Sequence, residues 1–269
     1  MRCWLRSPSV AALLWLWSGA TARADVFDFQ VPNDDNAIDT RNELIHRTEQ
    51  VHDLAARAGV VDADWYRISA RPYSSYEVII DQTSADVTPI VLQRIASDGT
   101  TVLQTAQPIS SIGATRTLRW DNTTSTAVSN QYIKVTSGSC TRECNPTAVY
   151  RIRAFDTTYT IPRYYNRFSA RSNLVLQNPT ASPVTYTAQF WNDGGAWLQT
   201  RVFTVPARSV DVWQLFSSPG TGVDQKTGSA TITAPAGYGE LFGKISQFEL
   251  VSLGAVANQA WDHPMLPRP

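Results

Sequence analysis

The chain has 269 residues, and its formal charges balance at 23 basic and 23 acidic side chains. Hydrophobic residues make up 43% and charged residues 17%, a composition that excludes a disordered chain or a coiled coil. Arg2, Arg6 and Arg23 lie in an N-terminal segment without acids; from residue 25 onward 20 basic face 23 acidic side chains, net −3, which excludes a strongly basic nucleic-acid binder.

That N-terminal segment reads as a signal peptide. Arg2 and Arg6 form a basic start, Val10-Ala-Ala-Leu-Leu-Trp-Leu-Trp17 an apolar core, and Ala22-Arg23-Ala24 a small-x-small cleavage pattern. The apolar core is shorter than the roughly 20 residues a membrane span needs. The expected mature chain begins near Asp25, is secreted to the periplasm or beyond, and carries no transmembrane segment. Cys3 leaves with the signal. Cys140 and Cys144 remain, and in an oxidising compartment they are expected to pair as a disulfide that orders their loop. Asn33-Asp34-Asp35-Asn36 follows the mature start and offers hard oxygen ligands of the kind Ca²⁺ takes, with Asp34 and Asp35 as the carboxylates. A solvated turn is the simpler account of the same residues.

Residues 34–58 lack both Gly and Pro, and Thr40-Arg-Asn-Glu43 has the form of a capping box. A helix competes here with two strands, Glu43–His46 and Gln50–Leu54. On two strands His46, His52 and Asp53 could converge on a metal. On one helix the six-residue offset separates the two imidazoles by about 120°.

From Asp62 the pattern is short strands. Trp65, Arg67 and Ser69 alternate with Tyr66, Ile68 and Ala70, and Tyr76–Ile80 is β-branched and apolar. Ile90–Ile95 and Thr101–Gln104 flank the turn signal Ser97-Asp-Gly-Thr100. Strands follow at 117–120, 131–135 and 148–155. Asp156–Arg163 reads as the end of one sandwich and a short linker. Further strands are expected at 172–177, 184–191, 197–205, 209–216, 229–233 and 241–250, with Asn192-Asp-Gly-Gly195 as a hairpin turn. His263–Pro269 is rich in proline and is expected to leave the sheet. The prediction is an all-β protein of two tandem antiparallel β-sandwiches.

Asp62-Ala-Asp-Trp-Tyr-Arg-Ile68, Tyr76-Glu-Val-Ile-Ile80, Ser97-Asp-Gly-Thr100, Gln131-Tyr-Ile-Lys-Val135 and Val149-Tyr-Arg-Ile152 stand in an order that resembles the bacterial pre-peptidase C-terminal domain over residues 26–156. Ile161-Pro-Arg, Leu174-Val-Leu-Gln-Asn-Pro179, Phe190-Trp191 and Pro264-Met265 are similar to a small immunoglobulin-like module of secreted bacterial proteins. The resemblance implies a jelly-roll-like sandwich over 25–157 and an immunoglobulin-like one over 162–269, and favours the two-strand reading of 43–54. It implies a non-catalytic companion of secreted peptidases, although no peptidase domain accompanies it here.

The catalytic inventory is thin. There are three histidines, no Gly-x-Ser-x-Gly elbow, no His-Glu-x-x-His and no phosphate-binding glycine loop. Asp62 and Asp64, two apart on a strand, read as a strand start rather than a catalytic pair. His46 and His52 remain as metal candidates. Trp191 and Trp197, flanking the 192–195 hairpin, are the candidate binding residues, because exposed indoles stack on sugar rings or anchor a protein partner. Core filling is the competing role for both. The expectation is therefore a non-enzymatic exported protein with no cofactor beyond a possible Ca²⁺. Its partner would be a polysaccharide or a secreted or surface protein, and not nucleic acid. The alternative is a metal-assisted secreted hydrolase.

Overall fold

The computed structural model describes residues 36–37, 39–54, 62–82, 90–106, 115–137, 149–216, 222–249 and 260–268. The signal region, Asp34, Asp35, Cys140 and Cys144 lie outside the described residues. Those described form strands and connections with no helix, and none is long and apolar enough to cross a membrane as a helix.

Eight strands build the first half: β1 (Glu49–Asp53), β2 (Ala63–Ala70), β3 (Ser74–Gln82), β4 (Ile90–Ile95), β5 (Val102–Thr105), β6 (Arg116–Asn122), β7 (Val128–Ser137) and β8 (Val149–Asp156). They pair antiparallel into two sheets, ordered β1-β8-β3-β6 and β2-β7-β4-β5. The period-2 pattern decides which residues meet between them. In β8 Tyr150, Ile152 and Ala154 point inward, and they join Tyr66, Val78, Leu92, Leu118 and Ile133 in one core.

Nine strands build the second half: β9 (Tyr159–Tyr165), β10 (Ala170–Asn178), β11 (Val184–Asn192), β12 (Trp197–Val205), β13 (Ser209–Gln214), β14 (Thr227–Thr233), β15 (Phe242–Glu249), β16 (Ala260–Pro264) and β17 (Leu266–Pro267). Their sheets are ordered β13-β10-β15-β16 and β12-β11-β14-β9-β17. The core between them is large and apolar, with Leu174, Leu176, Tyr186, Phe190, Phe203 and Ile245 fully or almost fully buried. Each such side chain removed from water contributes on the order of 1.5–3 kcal/mol.

Residues 43–54 form no helix. Glu43 bridges Arg67, His46 bridges Ala154, and β1 pairs along β8. Arg47, at φ 64°, turns the chain between them. Local helix propensity yields to the sheet because the extended path sends Leu44, His52 and Leu54 into the first sandwich.

Two other expectations are corrected. The stretch read as a linker is mostly strand β9, and only Thr157 and Thr158 separate β8 from β9. Both are buried and bonded to the first sandwich: Thr157 N–H donates to Ser75 O at 2.8 Å, and Ser75 N–H donates to Thr158 Oγ1 at 2.9 Å. The proline-rich C-terminus does not leave the sheets. Strand β16 lies on the edge of one sheet and β17 on the edge of the other, where a missing N–H costs no ladder bond. The chain crosses between the sheets at buried Met265, whose N–H donates to Gly243 O at 2.9 Å.

Candidate binding site at the hairpin end of the second sandwich

The β11–β12 hairpin turns through Asn192-Asp-Gly-Gly195. Gly195 has φ 78°, a conformation an L side chain would strain, and its N–H donates to Asn192 O at 2.9 Å. The Asn192 carboxamide accepts from Ala196 N–H at 2.8 Å and fixes the tip. A register shift after Phe190 sets Trp191 opposite Trp197.

The two tryptophans play different parts. Trp197 is 52% exposed. Its indole N–H donates at 3.0 Å to Oε1 of Gln189, which is 1% exposed and also accepts from the Thr200 hydroxyl at 2.5 Å. One edge of the ring is thus anchored while a face meets solvent. Trp191 is half-buried and donates to Thr231 Oγ1 at 3.1 Å. Tyr73 from the first sandwich meets it edge-on at 5.1 Å. Trp191 is a packing residue between the sandwiches.

Beside the tip lies a hollow of about 260 Å³ between three loops. Arg167 comes from the β9–β10 connection, Asn192 and Asp193 from the hairpin, and Gln225 and Lys226 from the turn before β14. Asn166 N–H donates to Lys226 O at 2.9 Å, and the buried Asn166 amide reaches Val223 O at 3.2 Å, so the first and third loops are bolted together. Asp193 is engaged by the Thr227 hydroxyl and by Arg163 at 3.7 Å. Below it the Tyr164 hydroxyl donates to Trp191 O at 3.2 Å, and burial, with Asp193 adding to it, pushes that phenol up to about 12. Phe168, 76% exposed beneath the Arg167 guanidinium, and Gln225 hold left-handed backbones at φ 56° and 55°. Non-glycine residues in that region cost on the order of 1 kcal/mol or more and concentrate at binding and catalytic sites.

The histidines are not brought together. His46 sits at the junction of the sandwiches, where its Nδ1 accepts from Asp156 N–H at 2.9 Å and its ring meets Tyr238 edge-on at 5.5 Å. With Arg71, Tyr76 and Asp156 it lines a second hollow of about 250 Å³. Burial, helped by neighbouring Arg47, lowers its pKa below the ordinary histidine value. His52 lies inside the first sandwich between Tyr66 and Tyr150, with Nε2 3.0 Å from Gln50 Oε1. Asp64, buried nearby, accepts from the Tyr150 hydroxyl, which in turn lies 2.5 Å from that of Tyr66. Burial, then Asp64, raises the Tyr150 phenol well above its ordinary value. Among the described residues no group of three His, Cys, Asp or Glu is placed to hold a metal.

Arg167, Gln225 and Lys226 escaped the sequence reading. The signal available was Arg163-Tyr-Tyr-Asn-Arg-Phe168, a run of cations interleaved with aromatics. The partner loop at 222–227 lies far away in sequence and carries no motif.

No family model and no curated protein matches this chain. Solved structures with some likeness include an F-lectin (fucolectin) from Morone saxatilis (striped bass) serum, at TM-score 0.24 and 8% identity over 82% of this chain and 85% of that one. A glycosyl hydrolase family 2 member from Bacteroides cellulosilyticus gives TM-score 0.21 and 8% identity, covering 79% of this chain and 31% of that one. A β-glucuronidase of glycoside hydrolase family 2 gives 0.17 and 14%, over 87% and 26%. At TM-scores this low the likenesses carry no functional argument. What the chain itself defines is an all-β protein of two sandwiches with a polar hollow at one end of the second.

Proposed function

We propose that this is an exported, non-catalytic binding protein that contacts polysaccharide through the hairpin end of its second sandwich. The single observation that carries the reading is Trp197, an exposed indole held in place by a buried glutamine. A ring fixed in this way stacks on a sugar at little cost in side-chain entropy, and the hollow lined by the tip of the same hairpin offers further polar groups. The basic and apolar N-terminus supports export, and the resemblance of residues 26–156 to the pre-peptidase C-terminal domain supports an accessory role beside secreted hydrolases. The alternative of a metal-assisted hydrolase gains nothing from His46 and His52, whose imidazoles face different surroundings.

The test is a glycan array and pull-down on insoluble polysaccharides, run with Trp197→Ala and Trp191→Ala. Wild type should bind. Trp197→Ala should weaken binding at least about tenfold at unchanged stability. Trp191→Ala should lower the melting temperature and keep the binding preference. A wild type that binds no glycan, or a Trp197→Ala protein that binds like it, removes the proposal.

A further inference from the structure

The hollow at the β11–β12 hairpin tip carries a charge pattern that the binding reading alone does not require. Two cations line it, Arg167 and Lys226, both on exposed loop positions. Among the described residues neither makes an ion pair; the Arg167 guanidinium only overlies Phe168, with 5.6 Å to the ring centroid. The one carboxylate in the lining, Asp193, is already committed to Thr227 and Arg163. Neighbouring Asp224 turns onto its own chain and accepts from Gln225 N–H at 3.0 Å. The available charge facing the hollow is therefore positive, on a chain whose formal net charge is zero.

The amide groups complete a recognition surface. Gln225 and Asn192 lie on the same rim, and the left-handed backbones of Gln225 and Phe168 set the two loops that carry the cations. The loops are joined through Asn166, so Arg167 and Lys226 start from a fixed separation rather than from floppy chain. An arginine fork and a lysine point charge, flanked by carboxamides, match a sugar ring bearing a carboxylate or a sulfate. A neutral sugar would leave both cations unanswered.

We infer that the hairpin hollow selects anionic polysaccharide, with Arg167 and Lys226 taking the acidic group of the bound sugar. This rests on the glycan-binding reading and deepens it. The overall charge of the chain gives no general attraction to polyanions, so the local pair must supply it.

The experiment uses the full mature chain in affinity electrophoresis or surface binding with three probes: polygalacturonate, dextran sulfate and neutral dextran. At least one charged polymer should bind tenfold or more tightly than dextran, with affinity falling as salt rises. Which charged polymer wins separates carboxylate from sulfate recognition. Arg167→Gln with Lys226→Gln should cut charged-polymer binding at least tenfold, and Lys226→Glu should abolish it. Arg41→Gln with Arg151→Gln, an equal loss of two charges on the first sandwich, should leave binding unchanged. Equal or stronger binding to dextran overturns the anionic assignment and leaves the glycan reading standing. Charged-polymer binding that survives both variants overturns it too. A chain that binds no polysaccharide defeats both.

Discussion

Each sandwich closes one corner with the same set of hydrogen bonds, although the chain reaches that corner in a different order. In the first, Asn122 donates to Arg71 O at 2.9 Å and Thr126 O at 2.8 Å, and accepts from the Thr124 hydroxyl at 2.7 Å. In the second, Asn178 reaches Ser182 O at 2.8 Å, Val205 O and Pro206 O at 3.0 Å each, and accepts from the Thr180 hydroxyl at 2.7 Å. The facing turns also agree. Tyr73 N–H donates to Thr124 O and Arg208 N–H to Thr180 O, both at 3.1 Å, and both residues are left-handed. Asn122 stands opposite Ser74, and Asn178 opposite Ser209. In the first sandwich the turn precedes the asparagine along the chain; in the second it follows. The corner is thus a solution to one physical problem, two strands changing sheets side by side with buried backbone groups to satisfy, and it is indifferent to connectivity.

Away from the corner the halves diverge. Asp53, Asp62, Asp64, Glu77 and Asp156 are buried in or against the first sandwich, along with His52. The second sandwich buries no carboxylate, cationic side chain or histidine among its described residues; its buried amides and hydroxyls outside the tyrosines are Asn166, Ser172, Asn178, Thr187, Gln189, Thr227 and Thr233. The first half holds charge networks in its interior, and the second keeps its described charged side chains out of its core, on strands and loops alike. Glu77 illustrates the first strategy. It accepts from Arg119 at 2.8 Å and from Tyr238 N–H at 2.9 Å, tying the buried acid to the second sandwich.

The largest effect that tests this comparison is at the corner itself. Asn178→Ala leaves the buried Val205 carbonyl and the part-buried Ser182 and Pro206 carbonyls short of a donor and should cost about 3 kcal/mol in urea or thermal unfolding. Asn122→Ala, at 7% exposure and with two carbonyls, should cost about 2 kcal/mol. A larger loss from Asn122 would mean that the two corners are not equivalent.

Next comes the strap. Arg268 Nη2 donates to Asp156 Oδ2 at 3.1 Å, and its Nη1 lies 3.5 Å from both Pro72 O and Tyr73 O. Removing the guanidinium leaves a carboxylate buried to 5% exposure and still held by the Thr158 N–H. Arg268→Ala should cost about 2 kcal/mol and split unfolding into two transitions, because the strap couples the halves. A single transition at unchanged midpoint would show that the junction does not depend on it.

How much of this was legible follows from distance along the chain. Alternation within β8 or β10 is local, so the strands could be read, and Asp98 in its Asp-Gly turn could be read too: its carboxylate caps Thr100 and Thr101 at 2.9 and 2.8 Å and is pulled down to about 2 by the Thr101 hydroxyl. The corner could not, because its asparagine and turn meet only after folding, 51 residues apart in the first sandwich. The repeated Asn-x-Thr-x-Thr/Ser at 122 and 178 was visible but has no meaning without the facing turn. Trp191 and Trp197 looked alike in sequence. A register shift and one tyrosine from the other sandwich made one structural and left the other exposed.

Acid should also act unequally. The folded state lowers the pKa of His46, so the unfolded chain binds its proton first. Stability is whole above the ordinary value of 6.5 and declines as pH falls below it, until the lowered folded pKa is passed. Protonated Nδ1 could no longer accept from Asp156 N–H, and Arg47, Arg71 and Arg268 already bring positive charge to the junction. His46→Asn keeps an acceptor that does not titrate, and it should flatten the stability slope just below pH 6.5. On the alkaline side both halves should weaken, since Tyr150 in the first and Tyr164 and Tyr186 in the second have raised pKa values and lose stability as pH climbs past 10. An unchanged acid slope in His46→Asn would locate the sensitivity elsewhere.

The smallest effect separates geometry from contact at the equivalent turn positions. Arg208 and Tyr73 hold the same strained backbone, φ 54° and 47°, and a glycine there relieves steric cost in the fold while adding freedom to the unfolded chain. For Arg208, whose side chain is exposed, the two terms leave a net gain of about 0.5 kcal/mol at most in Arg208→Gly. Tyr73→Gly gains the same relief but loses the edge-on contact to Trp191 at 5.1 Å, so it should be destabilising by about 1 kcal/mol. Calorimetry on the pair reads the difference directly. Equal shifts would mean that Tyr73 contributes only its backbone, and that the second sandwich does not lean on the first at Trp191.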